Sequence, residues 1–286
     1  WIFLVVAALV GVDALVQHFS GVEFLRQRSA IWMRDGLYAV TGPFRHYNNL
    51  GAYLVCVLSM AIVLFSSKEI KMWLRMFLFF TAILCGWALL LTLSRGSWVG
   101  MGVSLVFMVC LSRRTKIILP VLGVFILILI LTPIIKERFF HIFESGGDSG
   151  RFGIWQSAWA MVKENPFLGK GLGTFMSRFS QYVSPGAGLQ YTHNCFLQVW
   201  AETGIFALLS FLSFLSILLV RSTKVCWNSS EPVLLGLICG ISGFLAHSFF
   251  DTQFYSLQLA VLMWVLLGIT SSLTSISAGS VDQEKT

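Results

Sequence analysis

The chain has 286 residues, 56% of them hydrophobic and 12% charged, with a mean hydropathy of +0.79, about half the charge of an ordinary soluble domain. That composition excludes a soluble globular protein. The net charge of +7, from 20 Lys and Arg against 13 Asp and Glu, fits the positive-inside bias and attraction to anionic membrane lipid, and speaks against nucleic acid because no basic stripe lies on a soluble face.

Repeated apolar runs long enough to cross a bilayer core of ~30 Å predict an all-α polytopic membrane bundle, a single transmembrane domain over residues 1–286. Trp1 already stands inside such a run and no initiating Met precedes it, so we expect a piece of a longer protein with earlier spans. The first span is read at Ile2 to Phe19, with Asp13 and Gln17 facing other helices rather than lipid. Ser20 to Asn49 is a polar loop with Arg26, Arg28, Arg34 and Arg45, and Leu50 to Phe65 is the second span. The short basic segment with Lys68, Lys71 and Arg75 then sets the cytoplasmic side.

Met76 to Leu111 is apolar except around Ser94 to Ser97, and about 36 residues would form a helix of ~54 Å, too long for one crossing. Two spans hinged at that point follow, the second ending at the basic run Arg113 to Lys116. Ile117 to Ile135 crosses outward, and residues 136–193 form a large external loop containing short helices. Asn194 to Val220, Val233 to Phe249 and Leu257 to Leu273 complete about eight spans, followed by a polar tail from Thr274. On this count Arg45, Arg95, Arg151, His193 and Asp251 share the external face. The six cysteines are scattered singly, with neither a CxxC pattern nor a disulfide framework.

The external loop is the polar, glycine-rich, tryptophan-bearing exception in an apolar chain. Phe152, Trp155, Trp159 and Val162 recur at helical spacing, with Asp148 or Ser149 as N-cap and Asn165-Pro166 as terminator. The Trp-bearing face of that helix is expected along the membrane interface or over the bundle. Arg151 then falls in the first turn, where a cation opposes the helix dipole unless an anion shares the site. Glycines, a helix N-terminus and a bidentate arginine make a phosphate cradle; an arginine solvated at a loop edge or paired with Asp148 is the plain alternative. Gly169-Lys170-Gly171-Leu172-Gly173 follows no strand, so it reads as a tight loop and not as a nucleotide fingerprint.

Arg95 at the helix break requires a partner or an anionic substrate, or else snorkels to the interface. His193 stands at the mouth of a span beside Asn194, a candidate cap for the following helix. At 3.6 residues per turn Trp200 and Gly204 return to the histidine's face, where Gly204 and Ala207 admit a second helix. Glu202 lies on the other side and reads as a buried polar contact to another span.

Gly42-Pro43-Phe44-Arg45-His46-Tyr47-Asn48, Leu93-Ser94-Arg95-Gly96, Arg151-Phe152-Gly153-Ile154-Trp155, Asn165-Pro166-Phe167-Leu168-Gly169 and His193-Asn194 with Gly204 resemble, in this order, the O-antigen ligase and polymerase superfamily. Ala207 departs from the ligase pattern, which has a second glycine there. The resemblance implies a multi-pass protein of the bacterial cytoplasmic (inner) membrane that moves a glycan from undecaprenyl pyrophosphate to an acceptor hydroxyl at the periplasmic face, without metal or other cofactor. The acceptor would be lipid A-core, a growing glycan or another hydroxyl compound. His193, Arg151 and Arg95 would be catalytic, with Arg45, Asn48, Asn194 and Trp155 binding substrate. Arginines can neutralise the diphosphate leaving group, histidine can take the hydroxyl proton, and attack opposite the leaving group inverts the anomeric centre. A polymerase of the same superfamily and a lipid-linked glycan transporter are the competing readings.

Overall fold

The computed structural model describes residues 1–33, 36–112, 115–133, 151–182, 191–229 and 231–283. Its helices are, in chain order, α1 (Ile2–Ser20), α2 (Tyr47–Ser66), α3 (Met72–Leu91), α4 (Arg95–Leu111), α5 (Thr115–Leu131), α6 (Arg151–Glu164), α7 (Phe175–Phe179), α8 (Cys195–Ser229), α9 (Pro232–His247) and α10 (Leu257–Gln283). A two-stranded antiparallel ribbon, β1 (Ile31–Trp32) with β2 (Tyr38–Ala39), sits in the loop after α1, and a 3₁₀ turn at Gln253–Tyr255 precedes α10.

Eight of these helices are apolar and correspond one to one with the spans read from the sequence. Among them α1, α2, α3, α8 and α10 are long and apolar enough to cross a membrane, while α4, α5 and α9 are shorter apolar helices. The chain is therefore a polytopic membrane bundle. Its centre is α2, buried along almost its whole length and packed against α9, α3 and α4. Lipid is as apolar as leucine, so helices in a bilayer associate through close van der Waals fit. Glycines of α9 supply it: a Cβ at Gly240 would stand 3.0 Å from the Cys56 carbonyl oxygen, and one at Gly243 only 2.6 Å from that of Gly100. Large side chains such as Phe206, Phe214 and Trp264 stay exposed on the outer faces, where lipid covers them.

Several boundaries differ from the sequence reading. The hinge between α3 and α4 falls at residues 92–94, with Leu93 at φ 52° and Ser94 capping α4 by accepting from the Ser97 N–H. Thr274 does not open a coil: α10 continues to Gln283, so the polar tail extends the last helix. Asp13 and Gln17 are buried, as expected, yet they serve the loop after α1 rather than a neighbouring helix. Asp13 Oδ1 accepts from the Phe24 N–H at 2.8 Å, and Gln17 bonds the Thr41 and Gly42 N–H groups, the Arg28 carbonyl and the Thr41 hydroxyl.

The largest departure is in α8. It is broken at Gly204 (φ 80°, ψ 175°), so the outer piece carrying Trp200 and the spanning piece after Ile205 are not one regular helix. The regular-helix argument that returned Trp200 and Gly204 to the face of His193 therefore fails, the more so because His193 precedes α8 with φ 49°. What approaches Gly204 is the 165–168 turn and not a helix: a Cβ there would stand 2.0 Å from the Phe167 carbonyl oxygen. The Asp148 and Ser149 caps, the Arg113–Arg114 pair, Arg34 and all of 134–150 and 183–190 lie outside the described residues.

Candidate active site at one end of the bundle

The N-terminal ends of α2 and α4 meet through their caps. His46 caps α2, its Nδ1 accepting from the Asn48 N–H at 3.2 Å. Asn48 Oδ1 in turn accepts from the Ser94 hydroxyl at 2.7 Å, and Ser94 caps α4 immediately before Arg95. Two capped helix N-termini thus meet here, and the positive ends of their dipoles favour an anion. Gly96 completes the joint, since a Cβ there would stand 2.5 Å from the His247 ring.

Burial pushes the His46 imidazole below its usual 6.5, with the charges of His193 and Arg151 acting in the same sense and that of Asp251 against it. The neutral ring with a lone pair on Nδ1 is what the cap requires. A histidine depressed in the fold contributes stability that is complete above pH 6.5 and is lost as the pH falls through the lowered value.

His193 Nδ1 lies 3.0 Å from Asp251 Oδ1. Asp251 also accepts from the Thr252 N–H at 2.9 Å and from Gln253 Nε2 at 3.3 Å, and the same Gln253 nitrogen stands 3.3 Å from His247 Nε2. Burial acts to raise the Asp251 carboxyl, but the hydrogen bond and charge of His193 and the Thr252 N–H outweigh it and hold the group well below the usual carboxylate range. A fixed carboxylate on Nδ1 selects the tautomer with the proton on that nitrogen and leaves Nε2 as the basic atom.

His193 and Asp251 line a cavity of about 630 Å³ together with Arg45, His46, Tyr191 and Tyr255. Arg26 and Arg28 open onto it as well. Of the residues read from the sequence, His193 and Arg45 are brought into this cavity. Arg151 opens α6 and acts electrostatically on His46 and His247, so it stands by the same cluster without forming the cavity wall. Arg95 begins α4 next to Gly96 and hence beside His247. Asn48 is buried and engaged with Ser94; its neighbour Asn49 lines the cavity. Asn194 Oδ1 accepts from the Leu197 N–H at 3.0 Å, within the first turn of α8. Trp155 donates from Nε1 to the Thr192 carbonyl at 2.8 Å. Both border a second, largely apolar groove of about 420 Å³ with Phe152, Trp159, Trp200 and Phe249. Among the described residues no group of three or more His, Cys, Asp or Glu side chains is placed to hold a metal ion.

The layer formed by α6, α7 and the turns between them is docked on α8 by the Gly204 break. In an unbroken helix the Ile205 N–H would bond the Ala201 carbonyl; here it bonds the Pro166 carbonyl at 2.9 Å. The freed Ala201 and Glu202 carbonyls accept from the Lys170 and Gly171 N–H groups at 2.9 and 2.8 Å. The Gly169–Gly173 stretch is the tight loop expected, with all three glycines at positive φ. Ile154, Ala158, Met161 and Val162 of α6 pack with Phe175 and Phe179 of α7 over Ala201, and the Trp159 ring meets Trp200 edge-on at 5.1 Å.

Glu202 is a buried polar contact, as expected, but its partners are two N–H groups of this layer and a tyrosine of the turn before α10. Its carboxylate accepts from the Gly173 and Phe175 N–H groups at 2.9 and 3.0 Å and from the Tyr255 hydroxyl at 3.0 Å. Burial and then the Glu202 charge push the Tyr255 phenol up, so it remains a donor. Glu202→Ala leaves two N–H groups and the hydroxyl without their acceptor, at about 1–3 kcal/mol for each that water does not reach. The expected result is a lower unfolding temperature and faster tryptic cleavage at Lys170, read on the purified protein.

Three residues of the cluster were given no site role in the sequence reading. Asp251 was read as sharing a face with His193 but was given no role, and its only signal was an acidic residue just past a span. Arg26 and Arg28 were read merely as loop charges.

Comparison with known proteins bears on the middle of the chain. Residues 80–212 match the O-antigen ligase family. That segment takes in Arg95, Arg151, His193 and Gly204, while the first arginines and Asp251 lie beyond its ends. No curated protein matches the chain. The match to the O-antigen ligase family thus covers residues 80–212, within a multi-pass helical membrane scaffold.

Proposed function

We propose that this protein transfers a glycan from undecaprenyl pyrophosphate to an acceptor hydroxyl, with inversion at the anomeric carbon and at the external face of the cytoplasmic membrane. The observation that carries this reading is the His193–Asp251 pair, 3.0 Å apart and opening on a cavity at the end of a membrane bundle.

The acceptor oxygen attacks the anomeric carbon from the side opposite the diphosphate. As the new C–O bond forms, the hydroxyl proton passes to His193 Nε2, and Asp251 balances the imidazolium that results. The bond from the sugar to the diphosphate breaks, and its electron pair leaves with undecaprenyl diphosphate. Arg151 and Arg95, beside the helix ends of α2 and α4, stabilise that negative charge where other glycosyl transfers use a divalent cation. Arg45 holds phosphate or sugar at the cavity wall. The apolar groove with Trp155 and Asn194 suits the first isoprenoid units of the donor. The short basic loop between α2 and α3 lies at the opposite end of the bundle, which supports an external site by the positive-inside rule.

The purified full chain in nanodiscs, supplied with an undecaprenyl-pyrophosphate oligosaccharide and a hydroxyl acceptor, is expected to form the elongated acceptor and release undecaprenyl diphosphate, with the opposite anomeric configuration in the new linkage. Movement of intact donor across the membrane of sealed vesicles, with no new glycosidic bond, would establish the transporter instead.

A further inference from the structure

The cavity beside His193 contains more positive charge than the transfer step uses. Arg26, Arg28 and Arg45 all line it, and Asp251, the one carboxylate in its lining, is already engaged with His193. Among the described residues none of these three guanidinium groups forms an ion pair. Arg95 and Arg151, assigned above to the diphosphate, are not part of this lining.

The loop that presents Arg26 and Arg28 is built to a fixed shape. Glu23, fully buried, accepts from the Arg26 N–H at 2.7 and 2.8 Å with its two oxygens and from the Arg28 N–H at 3.1 Å. Asp13 and Gln17 of α1 hold Phe24, the Arg28 carbonyl, Thr41 and Gly42 from below. Arg28 Nη1 donates to the Pro43 carbonyl at 3.3 Å, which brings it alongside the stretch carrying Arg45. Burying two carboxylates and an amide costs folding energy, which the hydrogen bonds that fix this loop offset. Pre-set arginines lose less freedom on binding and present a planar fork that matches a carboxylate or a phosphate with two parallel hydrogen bonds.

The rest of the wall suits a sugar. The Tyr191 and Tyr255 rings stand 6.4 Å apart on it, and Asn49, Thr252, Ser256 and Gln258 offer hydrogen-bonding groups. Tyr255 is fixed by its bond to Glu202.

We propose that Arg26 and Arg28, with Arg45, form the acceptor subsite and select an acidic glycan, one whose sugar carries a phosphate monoester or a carboxylate. The assignment deepens the transferase reading and rests on it for the word acceptor; the anion site itself is tested without turnover.

The test uses the full chain in nanodiscs and three fluorescent trisaccharides that differ in one substituent: neutral, phosphate monoester and hexuronate. Equilibrium binding is expected to favour one or both acidic sugars over the neutral one by about ten-fold at low salt, with the advantage shrinking as salt rises. The tighter of the two acidic sugars identifies the source of the anion. Arg26→Gln/Arg28→Gln should bind all three alike, and Arg26→Lys/Arg28→Lys, which keeps charge, should restore part of the preference and show that the loop still folds. Farnesyl diphosphate, a donor mimic, should bind the Gln variant within about two-fold of wild type. Equal binding of neutral and acidic sugars by wild type, or a preference that survives the Gln variant, overturns the proposal. So does selective loss of farnesyl diphosphate, which would hand these arginines to the donor. If acidic sugars bind as stated but no glycan is transferred, the transferase reading falls and the anion site stands.

Discussion

Replacing His193 by alanine is expected to lower kcat for glycan transfer by on the order of 10³-fold while the protein still binds donor. The loss follows from the position of the imidazole, which is the one cavity group combining a basic nitrogen with a carboxylate partner, at 3.0 Å. Asp251→Asn keeps the shape of that partner and removes its charge, so Nδ1 is no longer obliged to carry the proton and the imidazolium loses its counterion. A decrease of about 10²–10⁴-fold in kcat follows, with little change in KM for the acceptor. Because Asp251 acts through His193, the double variant should be no slower than His193→Ala alone. Steady-state transfer assays on the four proteins read this directly; a double variant as slow as the product of the two single effects would mean that the residues act independently. Asp251 is held below the usual carboxylate range, so its contribution to stability is complete above the ordinary value of 3.8 and is lost only as the pH falls through the lowered one. A loss of rate on acidification that begins above pH 3.8 therefore does not report on this carboxylate.

Gly204→Ala is expected to undock the layer of α6 and α7 from α8. At φ 80° and ψ 175°, a region that essentially only glycine adopts, an alanine is strained by about 1–3 kcal/mol, and its Cβ would stand 2.0 Å from the Phe167 carbonyl oxygen and 2.7 Å from the Leu168 nitrogen. Those are main-chain atoms with no flexible end to swing aside, so overpacking adds about 1–3 kcal/mol or more. Relief requires the 165–171 turn to lift away, which gives up the bonds from Ile205 to Pro166, from Lys170 to Ala201 and from Gly171 to Glu202. Proteolysis within this turn should rise steeply, the Trp159 and Trp200 fluorescence should shift, and transfer should fall with it, because α6 carries Arg151. A variant with wild-type proteolysis and fluorescence would show that the break at residue 204 does not hold the layer. Gly169, whose Cβ would stand 2.3 Å from the Glu202 carbonyl carbon at φ 68°, makes the reciprocal contact.

The bundle was legible because its signal is long and redundant. Each of the eight apolar helices announces itself by composition, and excess length alone forces the break between α3 and α4. The tight loop at Gly169–Gly173 and the helix beginning at Arg151 were equally readable, since glycine, proline and periodic tryptophans act locally. What failed depended on where the chain turns back. Trp200 and Gly204 were assigned a face by helical arithmetic, which a single residue at φ 80° undoes. Asn48, expected to bind substrate, is buried and hydrogen-bonded to Ser94 in the joint between α2 and α4, a contact that no local pattern announces. Asp251 lies 58 residues from His193, and no spacing rule joins an acid at the end of one helix to an imidazole at the start of another. Glu202 was rightly read as buried, while its partners required the docked loop to be seen.

The polar side chains inside α1 tie surface chemistry to the membrane interior. Asp13 and Gln17 determine the course of residues 24–42 from beneath, so exchanging that surface segment for one from a related protein without its first helix would transplant arginines with no foundation. Chimaeras cut at Ser20 should misfold locally, whereas those cut before Asp13 should carry their sugar preference intact.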